Sequence, residues 1–238
     1  MTLALELSGV RAGYGRIEVL HGLDLQVPDG SVVALLGPNG VGKTTTLRAI
    51  SGTIPVTSGS IRLDGRRIDN RRPSAIASRG LVLVPEGRGV FPALSVEDNL
   101  RIAHRSAPAA VAGPWGEWFD GIVDTFPVLG ERRTQAAGSL SGGEQQMLAV
   151  CRALVGDPRV ILFDELSMGL APLVVAGLFE RVAALRDAGR TIVLVEQYLT
   201  YALELADICY VLAKGQVAWV GEPGELKRST TAEAFLAS

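Results

Sequence analysis

The segment SVVALLGPNGVGKTTTLRAI, residues 31–50, sets the fold class of this chain. The run from Ser31 to Leu36 is apolar and short, as in a strand buried on both faces. It enters a glycine-rich loop, and KTTTLRAI then has the texture of a helix. Within it, Gly37-Pro38-Asn39-Gly40-Val41-Gly42-Lys43-Thr44-Thr45 puts four residues between Gly37 and Gly42-Lys43-Thr44, the spacing of a phosphate loop. Glycines let backbone N–H groups approach phosphate oxygens without a Cβ in the way. The helix start adds partial positive charge, Lys43 can bridge β- and γ-phosphates, and the Thr44 hydroxyl is placed for Mg²⁺. The expectation is nucleotide binding.

Outward from this loop, strands and helices alternate. LALELSGV and VLHGLDLQV predict two amino-terminal strands, followed by a turn at Pro28-Asp29-Gly30. SGSIRLDG reads as a short strand, and GLVLVP as a buried strand stopped by Pro85. From Ser95 to about Asp157 the texture becomes helical, opening on Ser95-Val96-Glu97-Asp98 as an N-cap with acids in the first turn. Residues 107–116, rich in Ala, Gly and Pro, predict a loop between helices. RVILF, TIVLV and ICYVLA are then strands separated by the helices LVVAGLFERVAALRDAG and LTYALELAD. Such alternation predicts a mostly parallel, helix-covered α/β sheet.

At 238 residues, one domain with an embedded subdomain is the reasonable size. A formal charge of −2 carries no basic excess that would point to nucleic acid, and none is expected as a partner. No uncharged apolar run is long enough to span a bilayer, and the first residues lack the pattern of a secretory signal. Cys151 and Cys209 sit in apolar segments and read as buried, unpaired thiols. The chain is expected to be cytoplasmic.

Two more segments carry chemistry. Val160-Ile161-Leu162-Phe163-Asp164-Glu165 is an apolar strand ending in adjacent carboxylates. Beside a phosphate loop, Asp164 is expected near Mg²⁺ and Glu165 as the base that orients or deprotonates the attacking water. In Leu140-Ser141-Gly142-Gly143-Glu144-Gln145-Gln146, Ser141 and Glu144 form a capping box. Gly142 and Gly143 are poor helix formers that the cap does not explain, so this helix start reads as a second anion site.

The phosphate loop, LSGGEQQ and the VILFDE strand together resemble the nucleotide-binding subunit of an ABC transporter over essentially the whole chain. The resemblance implies ATP and Mg²⁺ as cofactors and a phosphate-loop (RecA-like), mostly parallel sheet. It also implies an amino-terminal antiparallel β subdomain and an inserted helical signature subdomain. Residues 1–88 and 158–238 would form the nucleotide-binding core with its β subdomain, and about 89–157 the helical part. In that family two such domains bind face to face. Ser141, Gly142, Gly143 and Glu144 would then serve the partner's nucleotide. Tyr14 would stack on adenine, the alternative being an aromatic that packs on a strand edge.

The chain departs from the usual family pattern at several positions. Glu86 stands where a glutamine usually contacts Mg²⁺; it remains an oxygen ligand, the alternative being a surface acid paired with Arg88. Gln197 takes the place of a histidine that contacts the γ-phosphate. Its amide can still donate and accept hydrogen bonds but cannot become an imidazolium. Leu166 and Ala171 replace a proline and an interface-crossing aspartate. PEGRGVFPALSVEDNL, GLAP and LVEQ resemble ATPase subunits of importers for branched-chain amino acids, with the related amide and urea importers. The implied partners are a second ABC ATPase subunit of different sequence and integral-membrane permease subunits, with a solute-binding protein acting indirectly. The implied place is peripheral, on the cytoplasmic face of the cell membrane. Alternatives are a lipid or polysaccharide exporter ATPase, or an ABC-type nucleotide switch not involved in transport.

Overall fold

The computed structural model describes residues 2–87, 89–107, 113–196, 199–226 and 228. The chain begins with β1 (Leu3–Tyr14), β2 (Ile17–Pro28), β3 (Val32–Leu36), α1 (Lys43–Ile50), β4 (Val56–Leu63) and β5 (Arg66–Arg67). There follow α2 (Pro73–Ala77), β6 (Leu81–Val84), α3 (Val96–Ser106), α4 (Trp115–Thr125), α5 (Pro127–Glu131) and α6 (Gly142–Leu154). The last part holds β7 (Val160–Asp164), α7 (Pro172–Asp187), β8 (Thr191–Val195), α8 (Leu199–Leu205), β9 (Ile208–Ala213), β10 (Gln216–Gly221) and α9 (Pro223–Leu226).

Two sheets result. The smaller is antiparallel, in the order β2-β1-β4-β5. The larger has the order β10-β9-β3-β8-β7-β6, and all its pairs are parallel except β9 with β10. Every residue of β3, β7 and β8 is buried, which is why these strands are continuous apolar runs rather than alternating ones. Their two faces feed different cores. Val33, Leu35, Leu162 and Val193 pack with Leu47 and Ile50 of α1 against the small sheet. Ala34, Ile161, Phe163 and Ile192 face the other way, toward Val175, Leu178 and Val182 of α7. The α/β architecture therefore matches the expectation, with β10 as an antiparallel edge that had not been anticipated.

A third core joins the helices between β6 and β7. It contains Val96, Leu100, Phe119, Ile122, Phe126, Leu129, Leu148 and Cys151. Ser95 caps α3 as the sequence predicts, accepting from the Asp98 N–H at 3.0 Å. Cys151 and Cys209 are buried and free, and burial pushes the Cys209 thiol up to about 12.

Glu97 ties α3 to the approach to α6. It receives Arg133 Nε at 2.7 Å and the Arg101 guanidinium, while those arginines lie over Phe119 and Trp115. The hydrogen bonds from Arg133 and Arg101 hold the Glu97 carboxyl down at about 2, against 4.5 ordinarily. A folded-state value below the unfolded one stabilises above the unfolded value and loses that effect as pH falls through the folded one. Between about pH 4.5 and pH 2, therefore, wild-type protein is expected to lose stability that Glu97→Gln lacks from the start. Thermal melts of both across that window check this; parallel curves would remove Glu97 from the account.

Candidate active site

Four parallel strands end along one edge, with Val195 opposite both Leu35 and Asp164, and Val84 opposite Phe163. Loops leaving such an edge face the ligand crevice of an open α/β sheet. The loop from Gly37 to Gly42 leaves β3 there. Gly37 has φ 138°, and a Cβ on it would stand 2.5 Å from the Leu212 carbonyl oxygen on β9, so a larger residue would push the loop off the sheet. α1 starts at Gly42 with no capping side chain and no acid in its first turn, an arrangement suited to an anion.

Lys43 is buried, and its Nζ donates to the carbonyls of Gly37 at 2.8 Å and Pro38 at 2.9 Å. Burial lowers its proton affinity, and the charges of Glu165 and Asp164 oppose that shift. A cavity of about 290 Å³ opens over the loop. It is lined by Tyr14 and Val19, by Asn39, Gly40, Gly42, Lys43, Thr44 and Thr45 of the loop and α1, and by Glu165. Gly37, Pro38 and Val41 do not line it: the first two hold Lys43, and Val41 packs on the core beneath.

The acidic side is built on β7. Asp164 is 2% exposed and accepts from the Thr44 hydroxyl at 3.0 Å. Its carboxyl is pushed above the usual range, first by burial and further by the charges of Glu165 and Glu86, while Thr44 and Arg48 oppose. Glu165 follows in the left-handed region at φ 50°, its N–H bonded to the Val195 carbonyl at 2.9 Å. Glu86, exposed just beyond β6, is thus close enough for its charge to act on Asp164. The Thr44 hydroxyl and the Asp164 carboxylate, with Glu165 and Glu86 near, fit Mg²⁺, which takes one or two protein oxygens and completes its shell with phosphate and water. Among the described residues no group of three or more His, Cys, Asp or Glu could hold a metal ion.

Tyr14 is 41% exposed at the cavity edge, and its hydroxyl accepts from Arg48 Nη1 at 3.2 Å. Arg48 was not singled out from the sequence; it sits on α1 one turn past the phosphate loop and faces both Tyr14 and Asp164. A larger hollow of about 450 Å³, lined by Glu6, Arg62, Asp64 and Arg159 among others, lies by the start of β1. Arg159 there is already paired with Asp29 and Asp64.

Ser141 caps α6 in a full capping box: it accepts from the Glu144 N–H, and its own N–H donates to Glu144 at 2.7 Å. Gly143 has a packing reason beside the one read from sequence, since a Cβ there would lie 2.2 Å from Val174 Cγ1 on α7. Gly143→Ala is therefore expected to destabilise by about 1–3 kcal/mol through overpacking, despite the better helix propensity of Ala. Calorimetry should show a melting temperature lower by roughly 3–10 °C; an unchanged one would mean that α7 yields. None of Ser141, Gly142, Gly143 and Glu144 lines the phosphate-loop cavity of its own chain. Gln197 lies outside the described residues, so its assignment rests on the sequence alone.

The fold and the loop cavity are those of a phosphate-loop, nucleotide-binding protein. Residues 20–167 match the family described as ABC transporter. The high-affinity branched-chain amino acid transport ATP-binding protein BraG of Pseudomonas aeruginosa is 41% identical over 213 residues, 90% of each chain. The probable branched-chain amino acid transport ATP-binding protein LivF of Archaeoglobus fulgidus is 38% identical over 218 residues, 91% of each. The crystal structure of a nucleotide-free ATP-binding cassette from an ABC transporter superposes with TM-score 0.87 at 25% identity, covering 99% of this chain and 98% of that one. This chain belongs to the ABC transporter family and is one of its ATPases.

Proposed function

We propose that this chain is the ATP-hydrolysing subunit of a membrane importer for branched-chain amino acids. The observation that carries the substrate class is likeness to the Pseudomonas and Archaeoglobus proteins across nine-tenths of both chains, with no large segment left over on either side. No helix among the described residues is long and apolar enough to cross a membrane. The permease is then a set of other chains, reached through the helical part at about 89–157, and this subunit sits peripherally on the cytoplasmic face.

In this reading the ATP phosphates lie along Gly37 to Thr45, with Tyr14 against adenine. Lys43, whose Nζ donates to the Gly37 and Pro38 carbonyls, would give its charge to the β- and γ-phosphates. Thr44 and Asp164, with Glu86 at the edge, would hold Mg²⁺, which neutralises developing phosphate charge. Glu165 then takes a proton from, or orients, the water attacking the γ-phosphate, and Gln197 hydrogen-bonds that phosphate. Ser141, Gly142, Gly143 and Glu144 complete the site of a second ABC ATPase subunit, a different chain. Their absence from this chain's own cavity supports that role. ATP closes the pair and hydrolysis reopens it.

Uptake of radiolabelled leucine in source cells that lack this chain tests the reading. Uptake at low leucine concentration should fall. Wild type should restore it, and Glu165→Gln should not. Uptake that does not depend on the chain would overturn the importer assignment.

A further inference from the structure

We propose that Glu196 is a positioning residue for hydrolysis, holding Glu165 in place through Ser167. The proposal rests on the assignment of Glu165 as the base. Glu196 stands immediately after β8 and is 2% exposed; Ser167, two residues beyond Glu165, is 1% exposed. One oxygen of the Glu196 carboxylate accepts from the Ser167 N–H at 3.1 Å, and the other accepts from the Ser167 hydroxyl. Both donors belong to one residue, so the carboxylate fixes its orientation as well as its place. Burying a carboxylate is costly, which makes this an expensive way to anchor a turn unless its geometry matters.

The turn it anchors is the one that presents Glu165. Glu165 keeps φ 50°, a conformation that residues with a Cβ seldom adopt and hold only when their surroundings enforce it. Its N–H is tied to Val195, the residue before Glu196, at 2.9 Å. Its carbonyl accepts from Met168 at 3.3 Å, and the Ser167 carbonyl accepts from Leu170 at 3.2 Å. Val195 at the end of β8 and Glu196 just after it thus grip the turn, the first through the Glu165 N–H and the second through its side chain on Ser167. Releasing the second grip lets the turn relax about the first and moves Glu165 out of the cavity that it lines. ATP contacts along the phosphate loop are untouched.

Hydrogen exchange and single-turnover hydrolysis, each on Glu196→Ala, Glu196→Gln and wild type, test this. In Glu196→Ala the amides of Ser167, Met168 and Leu170 should lose protection while those of α1 keep theirs. The single-turnover rate should fall on the order of 10²-fold, the effect of a misplaced reacting group, with the ATP Kd within about twofold. Glu196→Gln retains an acceptor for the Ser167 N–H and should recover most of the rate. In a Glu165→Gln background, Glu196→Ala should cause no further fall, because it acts through the missing carboxylate. Unchanged protection of the turn, or an equal fall in the Glu165→Gln background, overturns the proposal. If Glu165 is not the base, Glu165→Gln alone hydrolyses ATP at the wild-type rate, so the two failures are distinguishable.

Discussion

Lys43→Ala is expected to weaken ATP binding by ~30-fold or more while leaving the fold intact. Lys43 is 5% exposed, and its ammonium is lodged between the carbonyls of Gly37 and Pro38 beneath the cavity. Two acidic side chains, Asp164 and Glu165, favour its charged form against the desolvation that opposes it. A triphosphate bound on this loop therefore meets a fixed, partly desolvated cation. Removing one partner of such a charge pair costs on the order of 2–5 kcal/mol, because the phosphate charge is left uncompensated. That corresponds to about 30-fold to several thousand-fold in Kd. The native fold loses only two hydrogen bonds to loop carbonyls, so the melting temperature of the unliganded protein should move little. Titration calorimetry with ATP separates the cases. Affinity equal to wild type would show that the triphosphate lies elsewhere.

Glu165→Gln is expected to leave that affinity in place and to slow turnover by roughly 10²–10⁴-fold, the range of a lost general base. The substitution is isosteric, so the turn after β7 and its bond to Val195 should survive. What disappears is the negative charge of a residue that lines the cavity. The neighbouring Asp164 is a poor substitute, since it is buried and bonded to Thr44. Glu86 is exposed, but it stands at the end of a different strand. Wild-type turnover in the variant would move the base to one of these two.

Both predictions concern residues that short-range patterns revealed. β3, β7 and β8 were legible because strands buried on both faces must be apolar throughout, and each ends in residues that are not. The phosphate loop and the Ser141 cap are local, closed within a few residues, so spacing alone was enough to find them. β10 is harder to see. It is a half-exposed edge strand of alternating burial, and it follows a short turn after β9. The pairings that cross the fold were invisible. Arg48 meets Tyr14 across 34 positions and Ser167 meets Glu196 across 29, and only the order β3-β8-β7 brings the second pair together. Gly143 shows a different limit. Its reading as an anion-binding glycine overlooked its contact with Val174, because a contact between helices leaves no periodic trace in either one.

In the proposed function Lys43 and Glu165 divide the work on one nucleotide, the first binding it and the second cleaving it. The most direct test incubates wild type, Lys43→Ala and Glu165→Gln with Mg²⁺ and radiolabelled ATP, then recovers and identifies the nucleotide each protein retains. The account predicts intact ATP on Glu165→Gln, released ADP and phosphate from wild type, and almost nothing on Lys43→Ala. ADP formed by Glu165→Gln at the wild-type rate, or ATP held as tightly by Lys43→Ala, would contradict it.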